Sequence, residues 1–165
     1  MPAYRPNVAL VLTRSGGEIL ICERSDFPEC WQFPQGGIKH RESPEEALQR
    51  EVREEISLRR RDYRILRQCG PYRYDFPPGC LKEGCIGQEQ TYFLAELLDS
   101  ETPIRVDRRE FRDFRWIFPT AFRMAWIPPI KRAVYRNVFR DLFDLELPAS
   151  ADSDTPHATT NPLPL

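Results

Sequence analysis

The stretch GGIKHRESPEEALQREVREEISL, residues 36–58, joins a paired-glycine turn to a helix whose second half crowds three carboxylates together. Ser43 precedes Pro44 and lies one helical turn before Glu46, which predicts a capping box with proline at the first helical position. Ala47, Leu48, Val52 and Ile56 recur at helical spacing, so one face of this helix packs on a core. At ~3.6 residues per turn, Glu55 and Glu54 fall about 40° and 60° from Glu51 around the axis. Like charges in one sector repel by roughly 0.2–0.5 kcal/mol per pair, and the helix gains nothing in return. Two arrangements tolerate them. Either the edge is a solvated acidic face, or a hard divalent cation stands opposite, because Mg²⁺ and Mn²⁺ prefer oxygen ligands.

Outward from this helix the pattern is mostly strands. NVALVLTRSGGEILICER, residues 7–24, has apolar runs on either side of Gly16 and Gly17 and predicts a hairpin. WQFPQGG, residues 31–37, carries Pro34 and two glycines and demands an irregular backbone. Beyond residue 63 come YRILRQC, YRYDF, QTYFLAELL and FRDFRWIF, read as separate short strands between turns. Val134, Val138, Leu142 and Phe143 predict a second helix over Ile130–Phe143, preceded by Pro128 and Pro129. This order predicts an α/β fold, a mixed sheet with helices on its faces. One domain over 1–147 is expected, and the small, polar, proline-rich tail 148–165 is expected to be disordered.

Composition sets limits on function. With 165 residues, 41% hydrophobic and 12% aromatic, the chain is globular and long enough for one core. It has no apolar run near the ~20 residues of a membrane span and no secretory leader pattern, so a soluble cytoplasmic protein is expected. No membrane association and no obligate protein partner are evident. Cys22, Cys30, Cys69, Cys80 and Cys85 never fall in a Cys-x-x-Cys spacing, which favours reduced thiols over zinc or a disulfide framework. A local bridge between Cys80 and Cys85 is the alternative in that loop. Net charge is −1, so no global field draws the chain to nucleic acid or membrane. Its only lysines are Lys39, Lys82 and Lys131, while arginine crowds residues 59–73 and 105–115. Arginine's planar fork suits phosphate, although genomic base composition produces the same excess.

Taken together, Gly36, Glu42, Arg50, Glu51, Val52, Glu54, Glu55 and Leu58 reproduce the Nudix hydrolase pattern, with Ser57 where that pattern has glycine. The chain therefore resembles the Nudix family, which implies an α/β/α sandwich with a mixed sheet between helices. The resemblance implies Glu51, Glu54 and Glu55 as ligands of Mg²⁺ or Mn²⁺, a carbonyl near Gly36 as a further ligand, and an ion pair between Glu42 and Arg50. Ser57 is expected to cost a little stability at the helix end without removing a ligand.

The resemblance extends through YRPNVALVL, WQFPQGGI, CIGQEQTYF, EFRDFRW and IKRAVYRNVF, covering about Tyr4 to Phe143. These segments resemble the bacterial RNA 5′ pyrophosphohydrolases and the asymmetric diadenosine tetraphosphate hydrolases, and both activities stay open. A Nudix-fold sensor without catalysis is a third expectation, disfavoured by the intact carboxylates. By this resemblance Glu110 is an extra ligand or base, and Arg5 and Lys131 lie near substrate phosphates. Gln35 and Gln88 occupy polar loop positions beside them, and Trp31 belongs to the same substrate-binding set. Tyr72, with Tyr74 and Phe76 as alternatives, would stack a base. Ile130 stands where the RNA enzymes often carry phenylalanine. The implied substrates are 5′-triphosphorylated RNA or a dinucleoside polyphosphate.

Overall fold

A computed structural model describes residues 3–149. Its sheet is built from β1 (Tyr4–Thr13), β2 (Ile19–Arg24), β3 (Trp31–Gln32), β4 (Gln35–Gly37), β5 (Tyr63–Asp75), β6 (Gly87–Leu97) and β7 (Phe111–Ile117). The order β3-β2-β1-β6-β5 forms the main path, with β4 against β1 and β7 against β2. β1 runs parallel to β6, and the other pairings are antiparallel. The sheet is therefore mixed, as the order of elements predicts.

The run VALVL in β1 explains the layering. A strand buried on both faces reads as a continuous apolar run rather than an alternation. Ala9 and Val11 join one core with Val134, Tyr135, Val138 and Phe139 of α2 (Arg132–Phe143). Val8, Leu10 and Leu12 join the other with Ala47, Leu48, Val52 and Ile56 of α1 (Pro44–Ile56). One helix thus covers each face of the sheet. At roughly 1.5–3 kcal/mol per fully buried aliphatic side chain, Leu48, Val52 and Ile56 are what hold α1 in place.

The start of α1 follows the sequence closely. Ser43 Oγ accepts from Glu46 N at 3.2 Å, and Ser43 N donates to Glu46 Oε2 at 2.8 Å. Its end shows how Ser57 is accommodated. Ser57 takes the left-handed conformation with φ 63°, and its hydroxyl donates to Arg105 O at 2.8 Å. The strain of a non-glycine residue there is offset by a bond glycine could not make.

Two boundaries differ from expectation. YRILRQC and YRYDF form one strand, β5, rather than two; a register shift between Cys69 and Tyr72 absorbs Pro71, which has no ladder donor. The second helix starts at Arg132 rather than Ile130, because Pro129–Lys131 form a short 3₁₀ turn first. All five cysteines are free thiols. No helix among the described residues is long and apolar enough to cross a membrane. The tail expected to be disordered lies outside the described residues from position 150 onward.

Candidate active site

The paired glycines bring α1 against the sheet. In β4, Gly36 pairs with Val8 and Gly37 with Asn7 of β1, and Leu10 N donates to Pro34 O at 2.9 Å. A Cβ on Gly36 would fall 1.9 Å from the Glu51 carboxyl carbon, and one on Gly37 would fall 2.3 Å from Arg5 Nη2. Only residues without a side chain let a carboxylate and a guanidinium lie directly on this strand. The turn is thus a floor on which an acidic and a basic group sit side by side.

The three carboxylates occupy different environments. Glu51 is half-buried, and Arg50 Nη1 donates to its Oε1 at 2.6 Å. Glu55 is 6% exposed and accepts from Gln35 N at 3.1 Å. Glu54 is the outermost, with its side chain 56% exposed and 3.7 Å from Arg50 Nη1. Burial, reinforced by the neighbouring Glu51 charge, pushes Glu55 up to about 9. Burial also raises Glu51, against the lowering effect of Arg50. Glu110 lies in the turn before β7 rather than in a strand, is exposed, and adds its negative charge to both of these shifts.

Arg50 clamps the turn to the helix. Its Nε donates to Glu42 Oε1 at 2.7 Å, and its Nη2 donates to Glu42 Oε2 and to Gly37 O, each at 2.9 Å. The Glu42 carboxylate accepts a third bond, from Lys39 N at 2.9 Å. The Arg50 bonds hold Glu42 down at about 2, so this pair stays ionised through the neutral range.

Behind the floor runs a buried amide network. Tyr92 Oη donates to Gln90 Oε1 at 2.9 Å, Gln90 Nε2 donates to Asn7 Oδ1 at 2.9 Å and also to Gln35 Oε1, and Gln35 N then reaches Glu55. Gln90 is fully buried and Asn7 nearly so. Neither was singled out from the sequence. The signal was present as the second glutamine of GQEQ, a polar side chain just before the apolar run of the same strand.

The remaining candidates divide. Arg5 lies over Gly37 and pairs with Glu83, its Nε donating to Glu83 Oε2 at 2.8 Å. Lys131 is 8% exposed, 5.5 Å from the Tyr74 ring centre, and burial, aided by Arg24, lowers it to about 8. Gln88 is buried and accepts from Tyr74 Oη at 2.8 Å. Trp31 is 3% exposed, with Arg115 4.3 Å over its ring and Trp126 tilted against it. Tyr72 donates to Asp141 of α2 and packs against Tyr92, which puts it on the α2 side and not at the carboxylate edge. Tyr74 is buried and Phe76 packs against it edge-on.

The donor set fits a hard divalent cation. All its side-chain donors are carboxylate oxygens, and burial first, with the neighbouring carboxylates second, raises Glu51 and Glu55, a cost that a cation would relieve. Among the described residues no three acidic, histidine or cysteine side chains converge as a closed cage, since Glu51 leans on Arg50 and Glu54 faces solvent.

Comparison with known proteins places these features in a wider group. A family model described as the NUDIX domain matches residues 3–140. An RNA pyrophosphohydrolase of Pseudomonas paraeruginosa is 40% identical over 148 residues, covering 84% of this chain and 91% of the relative. Among solved structures, a C. elegans Ap4A hydrolase superposes with a TM-score of 0.56 at 21% identity, over 70% of this chain and 80% of that one. The E. coli dihydroneopterin triphosphate pyrophosphohydrolase gives 0.59 at 19% identity, over 72% and 85%. At such identities the two structures speak for the fold alone.

Proposed function

The chain belongs to the Nudix domain family, and on that premise we propose that it is a hydrolase of phosphoanhydride bonds that removes pyrophosphate from the 5′ end of triphosphorylated RNA. The observation that carries this reading is the seating of Glu51 on the Cα of Gly36, with Glu55 bonded to Gln35 on the same strand. A carboxylate edge pressed onto a glycine floor leaves little room for a bulky apolar ligand and suits small, hard, charged groups. In this proposal Glu51, Glu54, Glu55 and Glu110, with the Gly36 carbonyl, would hold Mg²⁺ or Mn²⁺. When bound, such ions neutralise phosphate charge and acidify water.

The chain's own residues do the rest. Arg5 and Lys131 bind phosphate oxygens, and Gln35 and Gln88 orient the chain beside them. Arg50 and Glu42 fix the floor relative to α1, so the reacting group and the carboxylates keep a set spacing. Glu110 serves as an added ligand or as the acceptor of the water proton. Trp31, packed with Arg115 and Trp126, belongs to the same substrate-binding set. The site acts in the cytoplasm on RNA ends.

The test offers triphosphorylated RNA and diadenosine tetraphosphate to the purified protein with Mg²⁺ and compares kcat/KM. Faster release of pyrophosphate from RNA is expected. A preference for the dinucleotide would move the assignment to the alternative hydrolase, and metal-dependent binding without turnover would move it to a sensor. Glu54→Gln is expected to lower kcat at least ~100-fold with little change in melting temperature, because the Glu54 side chain is 56% exposed and its ion pair with Arg50 is long, at 3.7 Å.

A further inference from the structure

Arginine crowds two segments, and most of those in the first are committed. Arg64 and Arg73 pair with Glu96 and Glu89 on β6, Arg67 donates to carbonyls of α2, and Arg60 lies over the Tyr63 ring. The second segment is different. Arg109 pairs with Asp107 and Arg115 stacks on Trp31, whereas Arg105, Arg108 and Arg112 line one cavity of about 280 Å³ with Ile104, Val106 and Phe114.

We propose that this cavity is a second anion site, which holds a backbone phosphate of single-stranded RNA beyond the 5′ end being cleaved. The proposal rests on the RNA reading for its substrate, and three observations carry it. First, the charges are little neutralised: among the described residues Arg105 and Arg108 meet no carboxylate in an ion pair, Arg108 Nη1 donates to the neutral Arg112 O at 2.6 Å, and Arg112 has only Glu23 at 3.8 Å. Of the lining residues only Asp113 is acidic, and its Oδ1 already accepts from Phe114 N at 2.8 Å. In a chain of net charge −1, such a concentration is a local feature and not a global bias.

Second, the size is selective. At about 280 Å³ the cavity lies just below the ~300–1,000 Å³ of pockets that enclose a whole small molecule, so it suits one phosphodiester with its sugar rather than a complete cofactor. Guanidinium forks meet phosphate oxygens in pairs, and the apolar rim of Ile104, Val106 and Phe114 accepts the less polar face of a ribose or base. Third, the site is joined to the end of the helix that bears the carboxylates. The segment 104–110 that forms its wall is bonded to the end of α1: Asp107 N donates to Glu55 O at 2.9 Å, Arg105 N to Ile56 O at 3.3 Å, and Ser57 Oγ to Arg105 O. Glu110 closes the same segment. An RNA whose terminus lies on the carboxylate edge therefore passes the arginines as it leaves.

The experiment measures anisotropy of two labelled 5′-monophosphate RNAs, a 12-mer and a dinucleotide, across a salt series, for the full chain and for Arg105→Ala/Arg112→Ala. Melting temperature and the charge-keeping Arg105→Lys/Arg112→Lys control for folding. The alanine variant is expected to bind the 12-mer ~10-fold more weakly, with a slope of log affinity on log salt lower by about 0.7–1.4, one or two phosphate contacts on a single strand. The lysine variant should recover most of both. Equal loss for dinucleotide and 12-mer would place the arginines at the terminal phosphate and overturn the proposal, as would an unchanged slope. Because binding is read on uncleavable RNA, failure to hydrolyse triphosphorylated RNA would count against the proposed activity and not against this site.

Discussion

At the scale of single residues, three glutamates that look equivalent on a helical wheel do different things. Glu54 is open to solvent, Glu51 is shared between Arg50 and a glycine floor, and Glu55 is almost wholly buried. Helical spacing places all three on one edge, but burial depends on which strand and loop cover that edge, and those lie outside the helix. Glu55 therefore carries a testable cost. Its ordinary value of 4.5 is pushed up to about 9, chiefly by burial. Between those values the folded protein holds a proton that the unfolded chain has released, so stability falls as pH rises across that window. In a chelating buffer the melting temperature is expected to be higher at pH 5.5 than at pH 8.5. Glu55→Gln should remove most of that slope and raise the melting temperature at pH 8.5, while activity is lost. Adding Mg²⁺ to the unmodified protein should flatten the slope, since a bound cation favours the ionised form. A calorimetric scan showing no pH dependence in chelator would refute the link between burial and charge.

Between elements, the connections matter more than the elements themselves. The capping box at Ser43, the apolar stripe of α1 and the hairpin of β1 and β2 were legible because each is set by residues close in sequence. The continuity of β5 was not, since glycine and proline at positions 70 and 71 look like a break until β6 supplies ten paired residues beside them. Nor was the seam between α1 and the 104–110 segment, which Ser57 closes. Replacing Ser57 by glycine relieves the left-handed strain of ~1–2 kcal/mol but removes a hydrogen bond worth roughly 1 kcal/mol. Little net change in melting temperature is expected. Amide exchange across 104–110 should instead quicken and kcat fall a few-fold, as Glu110 loses a fixed position. Unaltered exchange would show that the hydroxyl does not hold the segment. A second connection works the other way. The loop bearing Glu83 supplies a carboxylate to Arg5, which a phosphate bound as proposed would have to displace. With the Glu83 side chain 65% exposed, the pair is weak and screened by solvent, so Glu83→Gln should lower KM by no more than about fivefold and leave kcat alone. A rise in KM would mean that Glu83 positions Arg5 for the phosphate rather than occupying it.

Across the whole molecule, the sheet separates two tasks. Its α1 face supports the charged edge, and its α2 face supports the floor through a cluster of aromatic rings. Phe33 stacks on Tyr135 at 5.3 Å between ring centres, and Phe122 and Phe139 pack around them. The sequence signals that both helices cover the sheet, but it does not connect WQFPQGG with a tyrosine 102 positions later, whose Oη accepts from Phe33 N at 3.3 Å. Phe33 is followed directly by Pro34, Gln35 and Gly36, so this contact helps tie the core to the glycine floor. Tyr135→Phe keeps the ring stack and removes the acceptor. A buried amide left without a partner costs about 1–3 kcal/mol, and for a domain of this size each kcal/mol moves the melting temperature by ~2–4 °C. A fall of roughly 2–12 °C is expected. Because Tyr135 bonds to none of the four glutamates, kcat at a temperature where the variant is folded should stay within ~3-fold, and its pH profile should keep its shape. A large loss of kcat without a loss of stability would instead assign Tyr135 to the floor itself, with the aromatic core acting on the chemistry through Gln35.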